Sequence, residues 1–196
     1  MKTIDNILNF KQTGIKIEKA RLLVSTPILN DFYFGHSVVL ILEHEPKGSI
    51  GLVLNKKTDQ SVSSLLPELE GISSPIFIGG PVEHNHVFYI HKNAAVEDSN
   101  SIGTGLFWGG NIHQISDFIN EGIIPLSDIK FFIGYSGWGA NQLEEELKSN
   151  SWIVSYIEAA GDLLTSDSDL MWKNTIKNQK LNYKSWFNFP VNPQDN

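Results

Sequence analysis

The runs Val38-Val39-Leu40-Ile41-Leu42 and Ile50-Gly51-Leu52-Val53-Leu54 constrain this chain more than any other feature. A strand with one face in water alternates apolar and polar residues. These two runs are continuously apolar and rich in β-branched side chains, the pattern of strands covered on both faces. Between them, Glu45-Pro46-Lys47-Gly48 places proline and glycine where a type I turn takes them. The spacing predicts a hairpin lying deep in a sheet or barrel.

Other elements arrange themselves around that hairpin. Arg21 to Thr26 reads as a strand stopped by Pro27, which restricts the residue before it and lacks a donor. Ser61 is placed to cap a brief helix carrying Val62, Leu65, Leu66 and Leu69. Pro75 to Val82 reads as a strand ending in a Gly79-Gly80-Pro81 corner. Val87 to His91 is expected as its antiparallel neighbour, and the polar residues 92–104 as a loop. After Gly105 to Trp108, Asn111 is placed to cap a helix, with Gln114 in capping-box position, Ile112, Ile115, Phe118 and Ile119 on one stripe, and Gly122 at its end. Trp152 to Ile157 reads as the last strand, and Asp167 as the cap of a final helix holding Leu170, Met171, Trp172 and Ile176. Near the start, Ile4, Ile7 and Leu8 at helical spacing mark a short helix, marginal alone. Near the end, Tyr183, Trp186, Phe187 and Phe189 are too apolar for a free tail and are expected to pack on the body or on a second subunit.

From Lys130 onward an apolar strand to Ile133, a glycine-rich turn over Gly134-Tyr135-Ser136-Gly137-Trp138-Gly139 and a helix bearing Leu143 and Leu147 are expected in close succession. This stretch carries the pattern GY-[SA]-GW-x-x-x-QLE-x-E at Gly134, Tyr135, Gly137, Trp138, Gln142, Leu143, Glu144 and Glu146. With LLVSTPILNDFYFGHSVVLILEH, GSIGLVLN, FIGGPV and FYIH it resembles, in order and spacing, the YqgE/AlgH family of bacterial proteins over residues 20–178. The resemblance implies one compact α+β domain (α/β-type), with a mixed, partly barrel-like sheet flanked by helices. Residues 1–19 then form an N-terminal extension and residues 179–196 an aromatic tail, both outside the family pattern. The family carries a transcriptional-regulator label and transfers no catalytic residues. His36 stands where the family has arginine, so an anion contact there would be weaker or pH-dependent.

The candidate chemistry is weighed residue by residue. Gly137 and Gly139 before a helix suggest an anion site, but Glu144, Glu145 and Glu146 already complement that helix dipole and would repel an anion. Ser136 follows a strand and precedes a helix, yet Trp138 occupies the second-glycine place of a nucleophile elbow, which disfavours hydrolase chemistry. His84 and His86, with Glu83 or His91, have the spacing of a weak metal pair; solvated loop histidines are the favoured reading. Glu43-His44 and Asn55, at the ends of the apolar runs, are expected at one rim of the sheet, pinning the hairpin or holding a ligand. A rim pocket lined by His44, Asn55, Gly79, Gly80, Ser136 and Gln142 is the competing reading to a purely architectural motif. Trp108, Trp152 and Trp172 are expected in the core or at an interface.

Charge and composition narrow the function classes. Twenty-two acidic against fifteen basic side chains give a net charge of -7, which repels phosphate backbones, and the lysine groupings at 11–21, 56–57 and 173–184 read as solvated surface. The chain has no cysteine, which removes disulfides, thiol catalysis and thiolate metal sites. The first twenty residues lack the apolar core of a secretory signal, and no apolar run reaches the length of a membrane span. The expectation is a cytoplasmic, non-enzymatic protein with no cofactor or metal, acting by binding a protein or small-molecule partner, with a role in regulation of expression. Self-association through the tail and an enzyme or nucleotide- or anion-binding protein using a pocket near the Gly134–Gly139 turn are the alternatives.

Overall fold

The computed structural model describes residues 10, 12–29, 31–179, 183, 186 and 187. The N-terminal helix expected around Ile4 to Lys11 lies outside them but for Phe10. The described elements are β1 (Arg21–Ser25), β2 (Val38–Glu45), β3 (Gly48–Val53), β4 (Lys57–Ser61), β5 (Pro75–Ile78), β6 (Val82–His91), β7 (Ser99–Gly103), β8 (Leu106–Gly109), α1 (Ile112–Asn120), β9 (Ile129–Gly139), α2 (Gln142–Lys148), β10 (Trp152–Tyr156), α3 (Ala160–Thr165) and α4 (Ser168–Lys177).

Strands β2 and β3 form the expected hairpin through Pro46-Lys47, with a bulge between Ile41 and Glu43. Val38 to Leu42 and Leu52 to Leu54 have no solvent exposure at all. Both faces are covered: Leu40, Leu42 and Leu52 enter one core with Trp172 and Trp186, and Val39, Ile41 and Val53 enter another with Trp138 and Trp152. Each such side chain contributes about 1.5–3 kcal/mol relative to an exposed one. The sheet runs β10-β1-β2-β3-β9-β6-β8-β7, with β5 on β9 and β4 on β5. Its pairs are antiparallel except β5 with β9, and it curls into a half-barrel carrying the helices. A third core, with Ile76, Tyr89, Ile115 and Phe131, lies between the β5–β9–β6 part of the sheet and α1. Asn111 caps α1 by accepting from the His113 and Gln114 N–H groups, and Asp167 caps α4 by accepting from Asp169 and Leu170. Caps of this kind are worth about 1 kcal/mol each. Tyr183 and Trp186, from the aromatic tail, are buried in the chain's own core, where Phe10 meets both rings edge-on.

Several expectations need correction. The glycine-rich segment 134–139 is the second half of β9, and the chain turns later, at Asn141, in the left-handed region with φ +62°. Strands β5 and β6 do not pair with each other, because β9 runs between them. The helix expected after Ser61 is two 3-10 turns, Val62–Ser64 and Pro67–Leu69, and the Ser61 side chain caps neither. Polar residues 57–61 and 99–103, the latter inside the expected loop, are strands. The capping box at Asn111 is not closed, since the Gln114 carbonyl oxygen accepts from the Glu97 N–H, and the Asn111 N–H donates to the Glu97 carbonyl. Trp152 and Trp172 are core residues, while Trp108 is half-buried.

Candidate functional site

One edge of β9 is shared between two strands, and this organises the motif. Strand β5 pairs with Phe131–Ile133, and β3 takes over at Ser136–Gly139. At the handover the Gly79 N–H donates to the Ile133 carbonyl at 2.9 Å. The Gly79 carbonyl accepts from the Val53 N–H at 2.9 Å and from Ser136 Oγ at 3.0 Å. A Cβ on Gly79 would lie 2.2 Å from the Gly134 carbonyl oxygen, and one on Gly80 would lie 2.3 Å from Ser136 Oγ. Gly134 itself holds φ +69° opposite a bulge in β6, where Glu83 to His86 leave the ladder between the Val82–Tyr135 and Val87–Ile133 pairs. Ser136 has no exposure, and its hydroxyl donates to a carbonyl, which is the bonding of a structural serine.

The six residues expected around one rim pocket fall at three separate places. Gly79, Gly80 and Ser136 meet in the buried handover. Gln142 and His44 stand near the hairpin tip. There the Gln142 carbonyl oxygen accepts from the Gly139 N–H at 3.0 Å, and its amide donates to Glu146 Oε1 at 2.9 Å. Glu146 Oε2 accepts from both indoles, Trp138 at 2.9 Å and Trp152 at 2.7 Å. The acidic helix is thus tied back onto the core. His44 Nδ1 lies 2.8 Å from Ser49 Oγ, and its Nε2 lies 3.7 Å from Glu144 Oε1. Asn55 is at the opposite end of β2, accepting from the Val38 N–H and donating to the His36 carbonyl, both at 2.9 Å. Six residues of extended strand separate it from His44, about 20 Å at 3.3 Å per residue. The expectation that the pair shares one rim is therefore corrected.

The histidines of the β6 bulge do not converge. His84 Nε2 lies 3.3 Å from the Tyr33 hydroxyl, while His86 Nδ1 lies 3.1 Å from Asn85 Oδ1 and 3.6 Å from Glu83 Oε2. His91 is buried far along β6, its Nε2 at 3.0 Å from the Gly109 carbonyl, and burial lowers its pKa. Among the described residues no three His, Asp or Glu side chains gather where a metal ion could sit.

The open part of the molecule lies beside this motif. On the α1 side of the sheet, Ile78 and Ile133 are left half-covered and floor a groove made of two adjoining hollows of about 460 and 350 Å³, which share His84 and Ile133. One wall is Phe32, Tyr33 and the polar strand β4; the other is Leu65, Leu66 and Val87. Phe32 is 71% exposed, the most exposed of the large apolar side chains among the described residues, and Leu65 is 36% exposed. Asp31 fixes this rim by accepting from the Tyr33 and Phe34 N–H groups at 2.8 Å. Sequence reasoning missed the groove; its one signal was the aromatic triplet Phe32-Tyr33-Phe34 directly after an aspartate that can make such a turn.

A mixed half-barrel sheet, its handover sealed by glycines and its acidic helix held by two tryptophans, defines the class of protein. The chain belongs to the AlgH-like family, whose model matches residues 22–184. It is 37% identical over 182 residues to a UPF0301 protein of Cytophaga hutchinsonii, covering 92% of this chain and all of that one. It is also 37% identical over 196 residues to a UPF0301 protein of Parabacteroides distasonis, covering 98% of each. The solution structure of the AlgH protein from Pseudomonas aeruginosa has a TM-score of 0.70 at 24% identity, over 88% of this chain and 94% of that one. A crystal structure of a protein from Corynebacterium diphtheriae gives 0.67 at 23% identity, over 84% and 88%. The fold is shared with both. No helix among the described residues is long and apolar enough to cross a membrane.

Proposed function

We propose that this protein acts in the cytoplasm by binding a partner protein through the groove floored by Ile78 and Ile133, and that any influence on gene expression passes through that partner. The carrying observation is Phe32, held outward at 71% exposure on a fixed rim over a half-covered sheet face. Burying such an aromatic in a partner's surface releases about 1.5–3 kcal/mol, the size of an interface anchor. The net charge of -7 favours a protein over a nucleic acid as that partner. The absence of a catalytic arrangement in the family motif supports binding over chemistry: Ser136 is buried on a carbonyl, and Glu146 is engaged by two indoles.

The test places a photo-crosslinking residue at position 32 in cells, identifies the captured protein, and measures its affinity after purification for the native chain, Phe32→Ser and Leu65→Ser. A loss of tenfold or more in both variants is expected. Equal affinity across the three proteins, or no reproducible capture, would overturn the reading.

A further inference from the structure

Two lysines and a histidine from separate segments of the sequence come within electrostatic reach of one another at one corner of the fold. Lys56, just beyond β3, donates its Nζ to the Gly35 carbonyl at 2.6 Å. The next residue, His36, holds φ +50°, its carbonyl accepts from Asn55 Nδ2, and its ring stands edge-on to Trp172 at 4.2 Å between centroids. Trp172 is anchored by its indole N–H on the Ser25 carbonyl at 2.9 Å, and Lys173 follows it on α4 at the surface. Among the described residues, neither Lys56 nor Lys173 has a carboxylate within 4 Å. The acid that acts on Lys56 from a distance is Asp31, whose Oδ1 already accepts two backbone N–H groups. His36 Nδ1 is buried and has no hydrogen-bond partner.

We propose that His36, Lys56 and Lys173 form a binding site for a compact oxyanion of the phosphate or phosphomonoester type. Two ammonium groups acting on one half-buried imidazole disfavour its charged form, and a shared anion relieves that repulsion while supplying a partner to His36 Nδ1, which lacks one. The arrangement stands out on a chain of net charge -7, whose average field gathers cations. The fold holds it firmly: Asn55 and Lys56 clamp the backbone at 35–36, and Trp172 backs the imidazole. The electrostatics of the corner agree with this. Burial, then the charges of Lys56 and of Lys173, lower the His36 pKa below 6.5, and burial lowers that of Lys56 against the pull of Asp31. An anion bound among them raises the His36 pKa, so by linkage binding tightens as pH falls through the histidine range. This site is separate from the Phe32 groove, and either can fail without the other.

Sulfate is the probe of choice, because its charge is constant between pH 5.5 and 7.5. It is titrated at fixed ionic strength while the backbone amides of residues 35–37 and the His36 ring are followed by NMR, with glycerol phosphate and AMP run in parallel. Saturable shifts at this corner are expected, tightening about fivefold on going from pH 7.5 to 5.5. The surface variant Lys173→Gln is expected to weaken binding at least threefold. His36→Asn, which tolerates the left-handed backbone, is expected to remove the pH dependence while leaving the fold intact. Tighter binding of glycerol phosphate than of sulfate assigns the site to phosphomonoesters, and tighter binding of AMP still assigns it to nucleotides. Shifts that do not saturate, or an unchanged affinity in Lys173→Gln together with an unchanged pH profile in His36→Asn, would overturn the proposal.

Discussion

The middle of β9 and the loop leading into β2 are both dense in residues that carry chemistry in other proteins, and they are built in opposite ways. Around Gly79, Gly134 and Ser136 the Gly79 N–H and carbonyl and the Ser136 hydroxyl have partners inside the chain, and the backbones approach so closely that a single methyl does not fit. Around Asp31 to His36 the backbone is also held, by Asp31, Asn55 and Lys56, yet Phe32 faces water and Lys56 has no carboxylate within 4 Å among the described residues. A fixed backbone with satisfied side chains is architecture. A fixed backbone with unsatisfied side chains is a surface prepared for something else, because exposed apolar area and unpaired charge persist at a cost.

The sharpest way to break the comparison is Gly79→Ala. The new Cβ would have to displace the Gly134 carbonyl, which is backbone in the central strand, so the neighbours have little room to give. A loss of about 3 kcal/mol or more is expected in urea unfolding, at the upper end of overpacking costs. A loss below about 1 kcal/mol would mean that the handover yields readily, and the distinction between sealed and open regions would fall.

Lys130 tests the sealed side from another direction. It lies on β9 at only 4% exposure, its Nζ unbonded and 4.0 Å from the centre of the Phe77 ring, and burial lowers its pKa from 10.5 to about 8. The native chain therefore sheds this proton more easily than the unfolded chain does. Between pH 8 and 10.5 the unfolded state binds more protons, so stability should rise with pH across that window, by about 3 kcal/mol in all for a shift of this size. Below pH 8 the full cost of the buried ammonium is present. Lys130→Met removes it, and a gain of about 1–3 kcal/mol at pH 7 is expected, together with loss of the alkaline rise. Urea unfolding of both proteins at pH 7, 8, 9 and 10 measures this. If the Met variant kept the same alkaline rise, the amine would not be the buried, unpaired group described here.

What the sequence made legible follows the same division. The β2–β3 hairpin could be read because burial on both faces leaves continuous apolar runs, and the caps Asn111 and Asp167 because a side chain bonding two residues ahead is a local event. The strands β4, KTDQS, and β7, SNSIG, could not, because they lie at margins of the sheet and present mostly polar, solvent-facing residues. Glycines at 134, 137 and 139 looked like a turn since close backbone approach and tight turning call for the same residue, and only the close approach of Gly79 to Gly134 and the pairing of Gly137 with Ile50 and of Gly139 with Gly48 tell the two apart. The corner at His36 was legible only as a position where the family has arginine, and the lysines around it were hidden for a plainer reason. Lys56 and Lys173 each read as solvated surface within their own segments, and only the packing of α4 against β1 and β2 brings them to the same histidine.

The smallest expected effect sharpens the comparison from the open side. Phe32 makes an edge-on contact with the Tyr33 ring at 5.1 Å between centroids and is otherwise largely in solvent. The turn that presents it is held by Asp31 and does not depend on the ring. Phe32→Ser should therefore change the unfolding free energy by no more than about 0.5 kcal/mol, as surface substitutions do, while Phe34→Ser should be costly because that ring packs on Trp138 and Trp152. Urea unfolding of the two variants side by side decides it. A large loss at position 32 would mean that the exposed aromatic supports the fold, and its exposure would then no longer speak for a partner.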